Sequence, residues 1–203
     1  MRKSSTSNSS SPWQQLPNTL TVFRLLLALP LGLTILQGHY SIALLIALAA
    51  GTTDLLDGYL ARKLEATSRF GAALDPLADK LLITVSFLSF AVTGLVPWYL
   101  AVIVITRDLV IVTGALAYQL LIGPVELASR WLSKANMLIQ IVFCAAVLMA
   151  QILPYITPAT LAWGVLAVLA FAIASGLDYV LTWSVKAFTA GRSPSKPART
   201  KGH

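Results

Sequence analysis

Six apolar stretches, at roughly 18–37, 41–61, 72–94, 98–122, 135–153 and 159–188, take up most of this 203-residue chain. Each is close to or above the ~20 residues that a helix needs to cross the hydrocarbon of a bilayer. Hydrophobic residues make up 57% of the chain and charged residues only 11%, against about 45–50% and about 25% in soluble domains. These numbers exclude an ordinary soluble enzyme. They predict an all-α integral membrane protein with six transmembrane helices in one bundle. Cys144 is the only cysteine and lies inside an apolar run, so neither a disulfide framework nor a cysteine zinc site is expected.

The basic residues set an orientation. Arg2 and Lys3 precede the first stretch, Arg62, Lys63 and Arg69 fill the second connection, Arg130 and Lys134 flank the fourth, and Lys186 to Lys201 crowd the C-terminal end. The first, third and fifth connections hold no Lys or Arg. The positive-inside rule then predicts that both termini, with the second and fourth connections, are cytoplasmic. Much of the +7 net charge is thereby a topology signal and not a nucleic-acid footprint. Residues 1–15 and 190–203 are polar and are expected to be disordered tails around a membrane domain spanning 16–189. Pro17, Pro97 and Pro158 fall at stretch starts, where a missing N–H costs little, while Pro30 should bend the first helix.

Against this apolar background, four aspartates fall within 26 residues: Asp54 and Asp57 near the end of the second stretch, Asp75 and Asp79 near the start of the third. The second connection is short, so the two helices are antiparallel neighbours that bring all four carboxylates to a similar depth. Carboxylates crowded in a poorly solvated place must take up protons or bind cations. Oxygen-only donors suit Mg²⁺ or Mn²⁺, and four carboxylates suffice for a two-ion site of the kind used in phosphoryl displacement. Gly58, Ala61 and Gly71 leave room beside them, and Arg62 can fork onto phosphate oxygens. Packing by small residues, with the carboxylates paired to Arg62, Lys63 and Lys80, is the structural alternative.

The full spacing D-x2-D-G-x2-A-R-x8-G-x3-D-x3-D, carried by Asp54, Asp57, Gly58, Ala61, Arg62, Gly71, Asp75 and Asp79, resembles the signature of the CDP-alcohol phosphotransferase family. The resemblance runs over about residues 17–140. It implies a six-helix membrane enzyme, usually a homodimer, with a polar cavity open to the cytoplasm. Such enzymes release CMP from CDP-diacylglycerol and pass the phosphatidyl group to an alcohol. On the family pattern Asp54, Asp57, Asp75 and Asp79 hold two metal ions, and Asp79 is also the general base. Asn18, Thr21, Asp54, Gly58, Ala61, Arg62, Ser68 and Gly71 would bind the CDP-lipid. A bacterial inner membrane is the expected location.

Arg107, Asp108, Lys134 and Asn136 interrupt later apolar stretches and read as cavity-facing groups. Arg107 and Lys134 are the candidates for an acceptor phosphate, with an Arg107–Asp108 structural pair as the alternative. Arg24 and Asp178 read more as structural. Local sequences such as TDLLDGYLARK and LSKANMLIQ are similar to CMP-forming cardiolipin synthases, whose acceptor is phosphatidylglycerol. Glycerol 3-phosphate, giving phosphatidylglycerophosphate, is the second expectation, weakened because Arg107-Asp108 stands where Arg-Glu is usual and no second Arg follows. A small cation transporter with an Asp-lined site is the rival of another class. It is disfavoured because the carboxylates sit toward helix ends and no internal repeat is evident.

Overall fold

The structure, a computed structural model, describes residues 12–64, 69–121 and 131–190, with the side chains at 12–21, 55, 57–77, 115–121 and 183–190 outside that description. Among the described residues there are six helices and no strand: α1 (Pro12–Leu36), α2 (Tyr40–Leu64), α3 (Arg69–Val92), α4 (Trp98–Leu121), α5 (Trp131–Ala150) and α6 (Pro158–Ala190). Each matches one apolar stretch. α1 opens at Pro12, ahead of its apolar run, and continues through Pro30. The missing N–H of Pro30 leaves the carbonyl of Leu26 without its helical donor.

Local chemistry explains where the helices stop. After α1, Gly38 takes φ +75°, its N–H reaches the Ile35 carbonyl at 3.0 Å, and the His39 N–H reaches the Thr34 carbonyl at 2.8 Å. After α3 the same pattern recurs: Gly94 at φ +74°, bonds to Ala91 at 3.2 Å, and Leu95 bonds to Phe90 at 2.9 Å. Both are Schellman ends, in which a left-handed glycine closes the last carbonyls. α6 begins differently. Thr157 caps it by accepting the Thr160 N–H at 3.2 Å, with Pro158 in the first turn, where proline is well tolerated.

Side-chain contacts fix the helix directions. Arg24 meets Asp79 while Gly32 faces Val85 and Ser89, so α1 and α3 run parallel. Lys80 pairs with Asp108 across the short α3–α4 connection, which makes those helices antiparallel. Arg107 meets Ser175 and Gly114 faces Tyr179, so α4 and α6 run parallel. Gly164 of α6 lies against Phe143 of α5 across their connection, so these two are antiparallel. It follows that α3 and α5 also run parallel. α3 is in contact with α1, α4 and α5, and α5 with α2, α3 and α6.

All six helices contribute to the apolar core, which includes Ile35, Ala43, Phe87, Phe90, Leu100, Val104, Phe143, Val147 and Val168. Large apolar side chains are nevertheless exposed on every helix, among them Leu29, Leu45, Leu88, Val102, Leu138 and Leu177. A belt of this kind is unfavourable against water and suits a lipid solvent. Among the described residues, two helices, Trp131–Ala150 and Pro158–Thr182, are long and apolar enough to cross a membrane by themselves. Hydroxyls within the helices are satisfied locally: Ser86 donates to the Leu82 carbonyl at 2.8 Å and Thr93 to the Ser89 carbonyl at 2.8 Å, as an apolar environment requires.

Candidate active site

Of the four aspartates singled out in the sequence, the structure brings Asp54 and Asp79 onto one atom. Nη1 of Arg24 donates to Oδ1 of each. The three residues come from α1, α2 and α3. Arg24 is fully buried, whereas the Asp54 and Asp79 side chains keep 36% and 22% of their surface exposed. A buried guanidinium requires acidic partners, and Asp54 and Asp79 serve as such here.

These carboxylates stand at one end of a cavity of about 410 Å³. Its walls are Leu31, Leu44, Ala47, Leu48, Leu82 and Ile83 from α1–α3, and Met137, Leu138, Ile141 and Cys144 from α5. Apart from the two carboxylates the lining is almost wholly apolar, so one mouth suits a charged group and the length behind it suits hydrocarbon.

A second polar cluster lies across α3. Lys80 Nζ is 3.2 Å from Asp108 Oδ1, Arg107 Nη1 is 2.5 Å from the same oxygen, and Arg107 Nη2 donates to Ser175 Oγ. Two cations against one carboxylate leave this group one unit positive. Asp79 and Lys80 are consecutive residues, so the two clusters sit side by side in the same layer of the bundle.

The remaining candidates are distributed as follows. Asp57 and Asp75 lie on α2 and α3, but their side chains, with those of Asn18, Thr21, Gly58, Ala61, Arg62 and Gly71, are outside the described residues, as is Ser68 altogether. Among the described residues no third His, Cys, Asp or Glu joins Asp54 and Asp79. The oxygen-only donors of Asp54 and Asp79 are of the kind that suits a hard divalent cation. Arg107 is engaged by Asp108 and Ser175, and Lys134 is exposed on the first turn of α5. Lys80, considered above as a partner for the clustered aspartates, pairs instead with Asp108. The residue that sequence reasoning undervalued is Arg24. The available signal was an arginine interrupting an apolar helix, which implies an acidic partner elsewhere.

A fold of six helices with clustered aspartates above an apolar groove defines the class. The chain belongs to the CDP-alcohol phosphatidyltransferase family, whose pattern it matches over residues 14–175. It is similar to a cardiolipin synthase (CMP-forming) of Rattus norvegicus, with 36% identity over 171 residues, 76% of this chain and 56% of that protein. The corresponding Homo sapiens cardiolipin synthase is 35% identical over 161 residues, covering 71% of this chain and 53% of its own length. A probable phosphatidylglycerophosphate synthase of Mycobacterium tuberculosis is 33% identical over 174 residues, 81% of this chain and 79% of that protein. The chain therefore spans about half the length of the rat and human relatives.

Proposed function

We propose that this protein transfers the phosphatidyl group of CDP-diacylglycerol to the hydroxyl of phosphatidylglycerol, giving cardiolipin and CMP. The observation that carries the reading is the meeting of Asp54 and Asp79, from separate helices, at the head of an apolar groove. A charged diphosphate and its acyl chains need that combination of polar mouth and apolar length.

In the proposed reaction the acceptor oxygen bonds to the phosphatidyl phosphorus, the bond from that phosphorus to the CMP oxygen breaks, and the acceptor proton passes to the Asp79 carboxylate. Asp54 and Asp79, with Asp57 and Asp75, would hold two Mg²⁺ or Mn²⁺ ions, which when bound would neutralise charge on the departing phosphate. Asn18, Thr21, Gly58, Ala61, Arg62, Ser68 and Gly71 would hold the CDP portion. Arg107 and Lys134 would draw in an anionic acceptor, supported by the net positive charge around Asp108.

The same reading includes six membrane spans, both termini on the cytoplasmic side of a bacterial inner membrane, and a homodimer. The distribution of Lys and Arg supports the orientation. The exposed Trp98, Tyr99 and Tyr155 near one end of the bundle and Trp131 near the other support interfacial anchoring. One finding favours a second acceptor. The mycobacterial relative, matched over most of both chains, is named for phosphatidylglycerophosphate synthesis, so glycerol 3-phosphate is the alternative.

Purified protein supplied with CDP-diacylglycerol and Mg²⁺ or Mn²⁺ should release CMP only when an acceptor is added. Lipid mass spectrometry then separates the readings. A four-chain product indicates cardiolipin synthesis, and a phosphatidylglycerophosphate product replaces it with the alternative. Absence of CMP release with either acceptor would refute both.

A further inference from the structure

We propose that Asn136 and Gln140 form an uncharged subsite for the glycerol hydroxyls of the acceptor. This deepens the transferase reading above and rests on it. Asn136 is 1% exposed and Gln140 3%, yet neither Asn136 Nδ2 and Oδ1 nor Gln140 Nε2 has a hydrogen-bond partner. Buried amides left without partners are costly, so a pair of them in one place calls for something that fills the vacant bonds. At i and i+4 they project from one face of α5.

The direction of that face follows from the packing. Phe143, one turn beyond Gln140, stacks on Phe87 of α3 with ring centroids 6.0 Å apart. α3 and α5 run parallel, and seven residues make almost two complete turns. Stepping back seven residues from each phenylalanine gives Lys80 on α3 and Asn136 on α5, each on the side of its helix that carries the ring contact. Lys80 belongs to the net-positive cluster around Asp108. On the other side of the same seam, Asp79 and Met137 line the apolar groove together. Asn136 and Gln140 immediately precede Met137 and Ile141, which line the groove with Asp79, so the two amides stand on the flank of that groove, one residue behind its wall.

A carboxamide carries no charge but both donates and accepts, and a hydroxyl does the same. Two carboxamides one turn apart match a polyol better than a phosphate or a metal ion. The glycerol unit is common to phosphatidylglycerol and glycerol 3-phosphate, so the subsite would read the same chemistry in either.

The test compares each acceptor with an analogue that keeps the terminal nucleophilic hydroxyl and loses the secondary one. These analogues are phosphatidyl-1,3-propanediol and 3-hydroxypropyl phosphate. Wild-type protein should prefer the glycerol form by about tenfold in kcat/KM, the scale of one or two neutral hydrogen bonds. The N136L/Q140M double variant should lose that preference and raise the acceptor KM about tenfold or more. Its KM for CDP-diacylglycerol should stay unchanged, and its Tm should match or exceed wild type because no polar atom is left unpaired. Gln140→Met alone should lose part of the preference, and it serves if the double variant does not fold. Preference retained in a variant that turns over would overturn this subsite alone, as would equal rises in donor and acceptor KM. No CMP release from wild type with either acceptor would overturn the transferase reading and the subsite with it. The acceptor pair that gives product identifies the source of the glycerol.

Discussion

The half of the bundle nearest the Gly38 and Gly94 turns and the half containing Arg24 are built on different physics. In the first, Ile35, Phe87, Phe90, Leu100, Val147 and Val168 meet, and the buried polar side chains beside them, Ser86 and Ser89, are uncharged. In the second, Arg24, Asp54, Asp79, Lys80, Arg107 and Asp108 form a layer of close ion pairs. In a lipid solvent apolar contact alone gives little drive for helices to associate, so fit has to supply it. A Cβ added at Gly164 would come within 2.6 Å of the Phe143 ring, and one at Gly32 within 2.7 Å of Val85. The apolar half is therefore held by close approach at small residues. The polar half is held by charge, and around Asp108 two cations meet one carboxylate. On the proposed reading that half binds the charged diphosphate beside an anionic acceptor.

If this division is right, substitutions in the two halves should fail in different ways. The largest effect belongs to Asp79→Asn, which should lower turnover about 10²- to 10⁴-fold, the usual worth of a positioned acid or base, with Tm lowered less than by Arg24→Met because Asp54 still partners Arg24. Near-normal turnover would move the general base elsewhere. Next comes Arg24→Met, which removes the cation between two carboxylates. Breaking a fully buried pair costs about 3–5 kcal/mol. A smaller loss is expected here because Asp54 is 36% exposed. Thermal unfolding in nanodiscs should show a lower Tm, and Mn²⁺ should raise it more than in wild type. An unchanged Tm would mean that Arg24 does not hold the helices together. The smallest effect is expected for Gly164→Ala. It should destabilise by about 1–3 kcal/mol through overpacking while leaving the KM for donor and acceptor unaltered. A change in KM there would show that the two halves are not separate.

Much of this was legible in the one-dimensional sequence, for identifiable reasons. Apolar length alone located all six helices, whereas the closing of two of their ends at Gly38 and Gly94 emerged only from the structure. The clustered aspartates stood out because charge is rare in such a background. What the sequence did not disclose was pairing. Arg24 lies 30 and 55 positions from its two partners, and nothing local specifies either. Lys80 has carboxylates in the preceding turn of its own helix but is partnered 28 positions away on α4. Gln140 was illegible for a different reason. α5 is apolar almost all round, so its periodicity could not say whether that amide faced lipid or the interior.

The central claim is that the carboxylates at the head of the groove bind divalent cations, and Mn²⁺ titration followed by electron paramagnetic resonance tests it most directly. Purified protein should take up two Mn²⁺ ions per chain, and Asp54→Asn or Asp79→Asn, each of which leaves Arg24 one acidic partner, should sharply weaken that uptake while the protein remains folded. Wild-type protein that leaves all the Mn²⁺ free, or single variants that bind it equally well, would contradict the account.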